Sequence, residues 1–241
     1  MLEPNKTSIL TRNVLIIFLL LYCLYPAKGQ KVNQFNSWWY YSGTYRLKEW
    51  WTINLLYSWS RHDFVKHWQI SKLGLSTNHS LTNNFGVGGS YEWAIIFPYG
   101  KLPVPEKREE HRFLERIFFK DKIQKISVGS TIEFEQFFRN SNFLQRARIK
   151  LGFKFPLLFD LHRNQRLGMS FSEQVFILVD NGSAPKLGQN RYYGGFDIGI
   201  TKNFTLSLGY LNQYIIIQPE TIENDHTLMV GVFHRADFRR K

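Results

Sequence analysis

The sequence predicts an all-β protein, an antiparallel up-and-down transmembrane β-barrel of about 10–12 strands after a cleaved signal peptide. Three observations predict it. Apolar and polar side chains alternate with period two over most of the chain beyond residue 30, the mark of strands with two chemically different faces. The chain opens on a short apolar run and has no second long one, so apolar helices cannot supply membrane spans. Aromatic residues make up 17% of the chain although its mean hydropathy is negative. Outer-membrane barrels combine these properties because only every second strand residue needs to be apolar.

Lys6 and Arg12 precede an uninterrupted apolar run over residues 14–25, and Pro26-Ala27-Lys28-Gly29 follows. A charged start, a short apolar core and the small-residue Ala27-x-Gly29 step read as a secretory signal peptide, residues 1–29, cleaved before Gln30. A run of about 12 residues falls short of the ~20 that a membrane helix needs. Cys23 lies inside that run and is followed by Leu24 and Tyr25, a poor context for lipid attachment. Residues 30–241 then form one barrel domain without cysteine, so disulfides, thiol catalysis and cysteine metal sites are excluded there. This domain carries 28 basic against 18 acidic residues, from 31 and 19 in the whole chain. For an exported basic protein the expected partners are outer-membrane lipids, lipopolysaccharide among them, with the barrel-assembly machinery during insertion. Nucleic acid is not expected, because no basic helix or binding module is visible.

Taken in order, Trp38, Trp39, Tyr40 and Tyr41 open the first strand, and Trp50 and Trp51 open the second after a tight turn at Lys48-Glu49. Such aromatic clusters suit the interfacial girdles of a barrel. The second strand sets Trp51, Ile53, Leu55, Tyr57 and Trp59 against Thr52, Asn54 and Ser58. A third, at 65–75, is interrupted by Lys66 and Lys72, and a turn follows at 78–84. The fourth sets Phe85, Val87, Tyr91, Trp93, Ile95 and Phe97 against Gly86, Gly88, Ser90, Glu92 and Ala94, and its glycines permit bending. Residues 98–106, with three prolines, read as a loop.

Segment 108–119 is strongly charged. Arg108, Glu110, Arg112 and Arg116 share one face, while His111, Phe113, Ile117 and Phe119 share the other, and Glu115 falls on the apolar side. Helix propensity alone would allow a helix here; the surrounding strands favour another strand.

Strands at 126–138 and 143–155 flank a short turn at 139–142. Setting Phe138 against Phe143 places Glu135 opposite Arg146, Glu133 opposite Arg148 and Thr131 opposite Lys150, all on the polar face. Val128, Ile132, Phe134, Ala147, Ile149, Leu151, Phe153 and Phe155 then face outward. Matched signs at matched register imply a charged lumen whose two walls neutralise each other.

After a turn region at 156–166, a strand at 167–179 carries Glu173 on its apolar parity, which suggests a bulge or a local inversion of facing. Residues 180–188 read as a loop. The clearest hairpin spans 189–217: a three-residue turn at 201–203 pairs Phe196 with Leu208 and Gly194 with Tyr210, with Arg191, Tyr193 and Asp197 on the opposite, lumenal parity. A loop at 219–225 precedes a last strand that alternates Leu228, Val230 and Val232 with Met229, Gly231 and Arg235 and ends near Phe238. Eleven segments thus read as strands, whereas single-chain bacterial barrels have even numbers, so one reading is expected to fail.

EHRFLER at 110–116, FSEQVF at 171–176, NRYYGGFDIGI at 190–200, LSLGYLNQY at 206–214 and His226 in the last strand together resemble a family of bacterial outer-membrane proteins described only as a domain of unknown function. The resemblance implies a barrel at the outer membrane and brings no catalytic residues with it.

The functional expectation is an outer-membrane barrel, closed or narrow, acting in the cell envelope through its loops or through lipid contact. Its candidate site is a lumenal charge ladder of Glu133, Glu135, Arg146, Arg148, Lys150, Arg191 and Asp197. One alternative is a lipid or lipopolysaccharide hydrolase, for which His79 beside Ser80, His111 near Glu110 and Glu115, and His226 beside Thr227 are the only candidates, none at a specific spacing. Another is a small-solute pore, although wide aqueous channels need ~16 strands. No cofactor or metal site is expected; His62 with Asp63 lacks a third ligand.

Overall fold

The computed structural model describes residues 30–97, 107–139, 142–160, 165–179, 185–218 and 221–239. The expected signal peptide at 1–29 and the loop at 98–106 lie outside the described residues. Eleven strands follow one another: β1 Gln30–Lys48, β2 Trp51–His62, β3 His67–Ser80, β4 Phe85–Ile96, β5 Arg108–Ile123, β6 Ile126–Arg139, β7 Asn142–Phe159, β8 Gln165–Val179, β9 Lys186–Gly199, β10 Phe204–Gln218 and β11 Thr221–Asp237.

Each strand pairs antiparallel with its sequence neighbours, and β1 closes the barrel against β11. That closing pair is parallel, from Gln30 opposite Thr221 to Arg46 opposite Asp237. The expectation of an even count is corrected here, since all eleven segments, the interrupted third and the charged fifth included, are strands. An odd number of alternating strands leaves the first and last running the same way, so a parallel seam is the only way to close. It also puts Gln30 and Asp237 at opposite rims.

Several bounds differ from the sequence reading because strand pairing extends into segments whose composition suggests turns. β1 begins at Gln30, well before Trp38, held by β11. β3 runs on through Asn78 and His79 to Ser80, which pair with β4. Pro156 lies within β7, at a register shift that absorbs its missing N–H. Residues 221–225, expected as loop, belong to β11 and pair with both β10 and β1.

Register follows the short turns. Phe196 lies opposite Leu208 and Gly194 opposite Tyr210, as the 201–203 turn predicts. Phe138 lies opposite Phe143. Period two then sorts side chains between two environments. Ile132 is 58% exposed on the outer wall, Leu75 56% and Phe196 48%, while Glu110 inside is fully buried. Trp38 and Tyr40 depart from the interfacial role expected of them: both line the lumen. The bulge in β3 presents Gln69 Oε1 to Trp38 Nε1 at 3.2 Å, and the Tyr40 ring lies over Gly231, where a Cβ would collide with it. Glu115 stays exposed on the outer wall between Gly89 and Phe134.

Candidate functional site in the barrel lumen

The β6–β7 hairpin builds the first part of the site. Its turn sets the register and its pleat sends odd residues of β6 and even residues of β7 inward, so Glu133 meets Arg148 and Glu135 meets Arg146. Glu135 Oε2 accepts from Arg146 Nε at 2.7 Å, and its Oε1 lies 3.1 Å from Arg148 Nε. Glu133 pairs with Arg148 and, at 3.3 Å, with Arg116 of β5. Both carboxylates are buried, at 3% and 2% exposed, and each is satisfied by two guanidiniums. A buried carboxylate is tolerated only when compensated in this way.

Strands β3, β4 and β5, which continue the wall from β6, supply the second part. Lys72 Nζ lies 3.1 Å from Glu92, and Arg112 lies 3.8 Å from the same oxygen. Glu110 is held between Arg112 and Arg139. Two buried phenylalanines tie these groups to the first part. Arg112, Arg146 and Arg139 gather on the Phe137 ring at 5.0, 4.9 and 5.9 Å from its centroid. Arg146, Arg191 and Arg148 gather on Phe176 at 4.4, 4.6 and 5.7 Å. Arg146 bridges the two rings, and Arg191 also lies 5.1 Å from the Trp38 ring centroid. Stacking holds each guanidinium plane against an aromatic face, while the glutamates take up part of the N–H edges of Arg112, Arg139, Arg146 and Arg148.

The ladder residues are therefore not equivalent. Glu133, Glu135, Arg146 and Arg148 form one network, and Arg191 joins it through Phe176. Lys150 sits in the next row, opposite Thr131 and Gln174. Asp197 lies apart, opposite Ser207 and Gly168 near the 201–203 turn, roughly 20 Å along β9 from Arg191 at ~3.3 Å per residue. Nor do the walls neutralise each other. The cavity, about 1460 Å³, is lined by ten Lys or Arg and four Asp or Glu side chains. Adding buried Glu110, Glu133 and Asp225, with Arg116, makes eleven bases against seven acids, an excess of four.

The three histidine candidates are each parted from their adjacent partner, because neighbours in a strand point to opposite faces. His79 packs outside against Trp50, whereas Ser80 takes the inward parity. His111 hydrogen-bonds Tyr91 outside at 2.7 Å, whereas Glu110 is inside and Glu115, on the same outer face, lies four residues away, roughly 13 Å along β5. Thr227 faces inward and is fully buried, whereas His226 faces outward. His226 belongs to a polar seam on the outer wall: Tyr210 Oη lies 2.6 Å from its Nδ1, Asn224 lies 2.9 Å from its Nε2, and Asn224 also bonds Asn212 and Asn33 at 3.0 Å each. Glu173 neither inverts nor bulges; it keeps the outward parity and accepts from Asn190 Nδ2 at 3.3 Å. Asp63 lies 3.8 Å from His67, while His62 turns to Asn36 at 3.3 Å. Among the described residues no group of three or more His, Cys, Asp or Glu is disposed to hold a metal ion.

Sequence reasoning missed Lys72, Glu92, Glu110, Arg112 and Arg139 as members of this site, although alternation puts each on the inward face. It also missed Phe137 and Phe176. A large apolar side chain on the polar parity of a barrel strand was the available signal, since it needs cover inside.

The family description "protein of unknown function (DUF2490)" matches residues 35–221. No curated protein and no solved structure is matched.

Proposed function

For this chain, which belongs to the DUF2490 family of proteins of unknown function, we propose an outer-membrane β-barrel whose narrow lumen is crossed by an arginine–glutamate network. The observation that carries the reading is the inverted distribution of side chains. Large apolar residues cover the outside, with Ile132, Leu75, Phe113, Phe196 and Leu208 all 47–58% or close to half exposed, while Glu110, Glu133 and Glu135 are at most 3% exposed inside. A water-soluble barrel would place these groups the other way round. Strands of 12 to 19 residues exceed the ~9–11 needed to cross a bilayer. The expected leader and the family resemblance support export to that membrane.

The same network argues against a wide channel, since eleven strands give a small bore and Arg146, Arg148 and Arg112 reach into it. The cavity of about 1460 Å³ favours a second, related reading, a narrow solute path or pocket inside the barrel. Fractionation with outer membrane and a heat-dependent shift on gels are the expected results. Recovery as a soluble periplasmic protein would sink the proposal.

A further inference from the structure

We infer that the lumen contains a binding site for a small phosphate-bearing solute, formed by Arg146, Arg148, Lys150 and Arg191. This deepens the proposed function, since it rests on the lumen being the working interior of the barrel.

The first support is uncompensated charge. Among the described residues Lys150, Lys154 and Arg191 make no ion pair with a carboxylate, although all three line the cavity. Four positive charges in excess, confined between low-dielectric walls, repel one another and draw an anion in.

The second support is arrangement. Lys150, Gln174 and Arg191 occupy one register row on three adjacent strands, which sets Lys150 and Arg191 roughly 10 Å apart across Gln174. Arg146, Arg148 and Arg191 converge on the single ring of Phe176. Glu135 and Glu133 hold Arg146 and Arg148 through their Nε and Nη2 groups, no carboxylate among the described residues is paired with Nη1 of either, and in the amide orientation that satisfies both groups Gln189 accepts from Arg191 Nε at 3.0 Å. Guanidiniums fixed by stacking and backed by carboxylates lose little freedom on binding, and their forks match phosphate oxygens in pairs. A single carboxylate would offset only one of the four charges, whereas a phosphate group brings about two charges and three acceptors.

The third support is room and access. The cavity exceeds the ~300–1,000 Å³ of ordinary small-molecule sites, so solute and water fit together. The cations face the lumen, while the outer parity of the same stretch of β7 is Ala147, Ile149 and Leu151, so the source is a dissolved solute and not a membrane lipid.

Inorganic pyrophosphate is the probe, titrated into the mature barrel folded in detergent, with heat by calorimetry and Trp fluorescence as readouts. Saturable one-to-one binding is expected, with a fluorescence change lost in Trp38→Phe. Arg191→Gln and Lys150→Gln should each weaken binding about tenfold or more, and Lys202→Gln, in an exposed turn, should leave it unchanged. Heat-dependent gel mobility and β-sheet circular dichroism verify that each variant is folded. Failure of that mobility for the wild type counts against the barrel reading itself. A folded wild-type barrel that releases no heat, or whose weak binding is screened equally in wild type and both variants on raising chloride from about 0.05 to 0.3 M, overturns only the site.

Discussion

Glu135 stands between two guanidiniums, accepting from Arg146 Nε at 2.7 Å through one oxygen and facing Arg148 Nε at 3.1 Å through the other. Glu135→Gln strips both arginines of a shared carboxylate in a cavity already rich in bases. Arg146→Gln leaves Glu135 with Arg148. The glutamate change should therefore be the more damaging, by about 3 kcal/mol against roughly half that. The double variant should be milder than the two effects added, with coupling of about 0.5 to 3 kcal/mol. Unfolding free energies of the four proteins in lipid measure this directly. Strict additivity, or a greater loss from Arg146→Gln, would mean that stacking on Phe137 and Phe176 outweighs the ion pair.

Leu208 is 47% exposed on the outer wall, between Phe196 and Val230. Replacing it by arginine should cost ~2 to 4 kcal/mol if it lies near the bilayer midplane. Ser172→Gln, toward the lumen, should stay within about 0.5 kcal/mol. Glu115→Leu should stabilise the barrel in lipid, because it removes the one carboxylate exposed among Phe113, Ile117 and Phe134. Equal costs for Leu208→Arg and Ser172→Gln would contradict the assigned facing.

The Tyr193 ring lies flat over Gly209, and a Cβ there would sit 2.7 Å from Tyr193 Cζ. Gly209→Ala must therefore displace the ring and its hydroxyl, which lies 3.0 Å from Ser207 Oγ. A loss of about 1 to 3 kcal/mol is expected. Adding Tyr193→Ala should make the Gly209→Ala step nearly neutral, and thermal melts of the pair would show it. An unchanged penalty would place the strain in the backbone instead.

The parallel β1–β11 seam separates Gln30 and Asp237 by the height of the barrel. Epitope tags placed just before Gln30 and after Asp237 should lie on opposite sides of the membrane. On intact cells, antibody should reach one of the two. A matching answer for both tags would require an even number of crossings.

Local chemistry made much of this legible. Alternation from Tyr192 to Ile198 and from Phe204 to Tyr210 names the outer face, and a turn of only three residues leaves one register, so Phe196 must meet Leu208. The short turn expected at 139–142 does the same for Glu135 and Arg146. Composition misled where pairing partners overrode it, as at Asn224 and Asp225, whose turn-like sequence is held in β11 by strands on both sides.

What the sequence determined by itself were the strands, their facing and the hairpin registers, because each depends on residues close together in the chain. Only the tertiary structure decided the parallel closure of β1 on β11, the gathering of Arg112, Arg146 and Arg191 around Phe137 and Phe176, and the surplus of bases around them. Those depend on how strand tilt and stagger carry distant strands across a closed lumen, and no local period records that geometry.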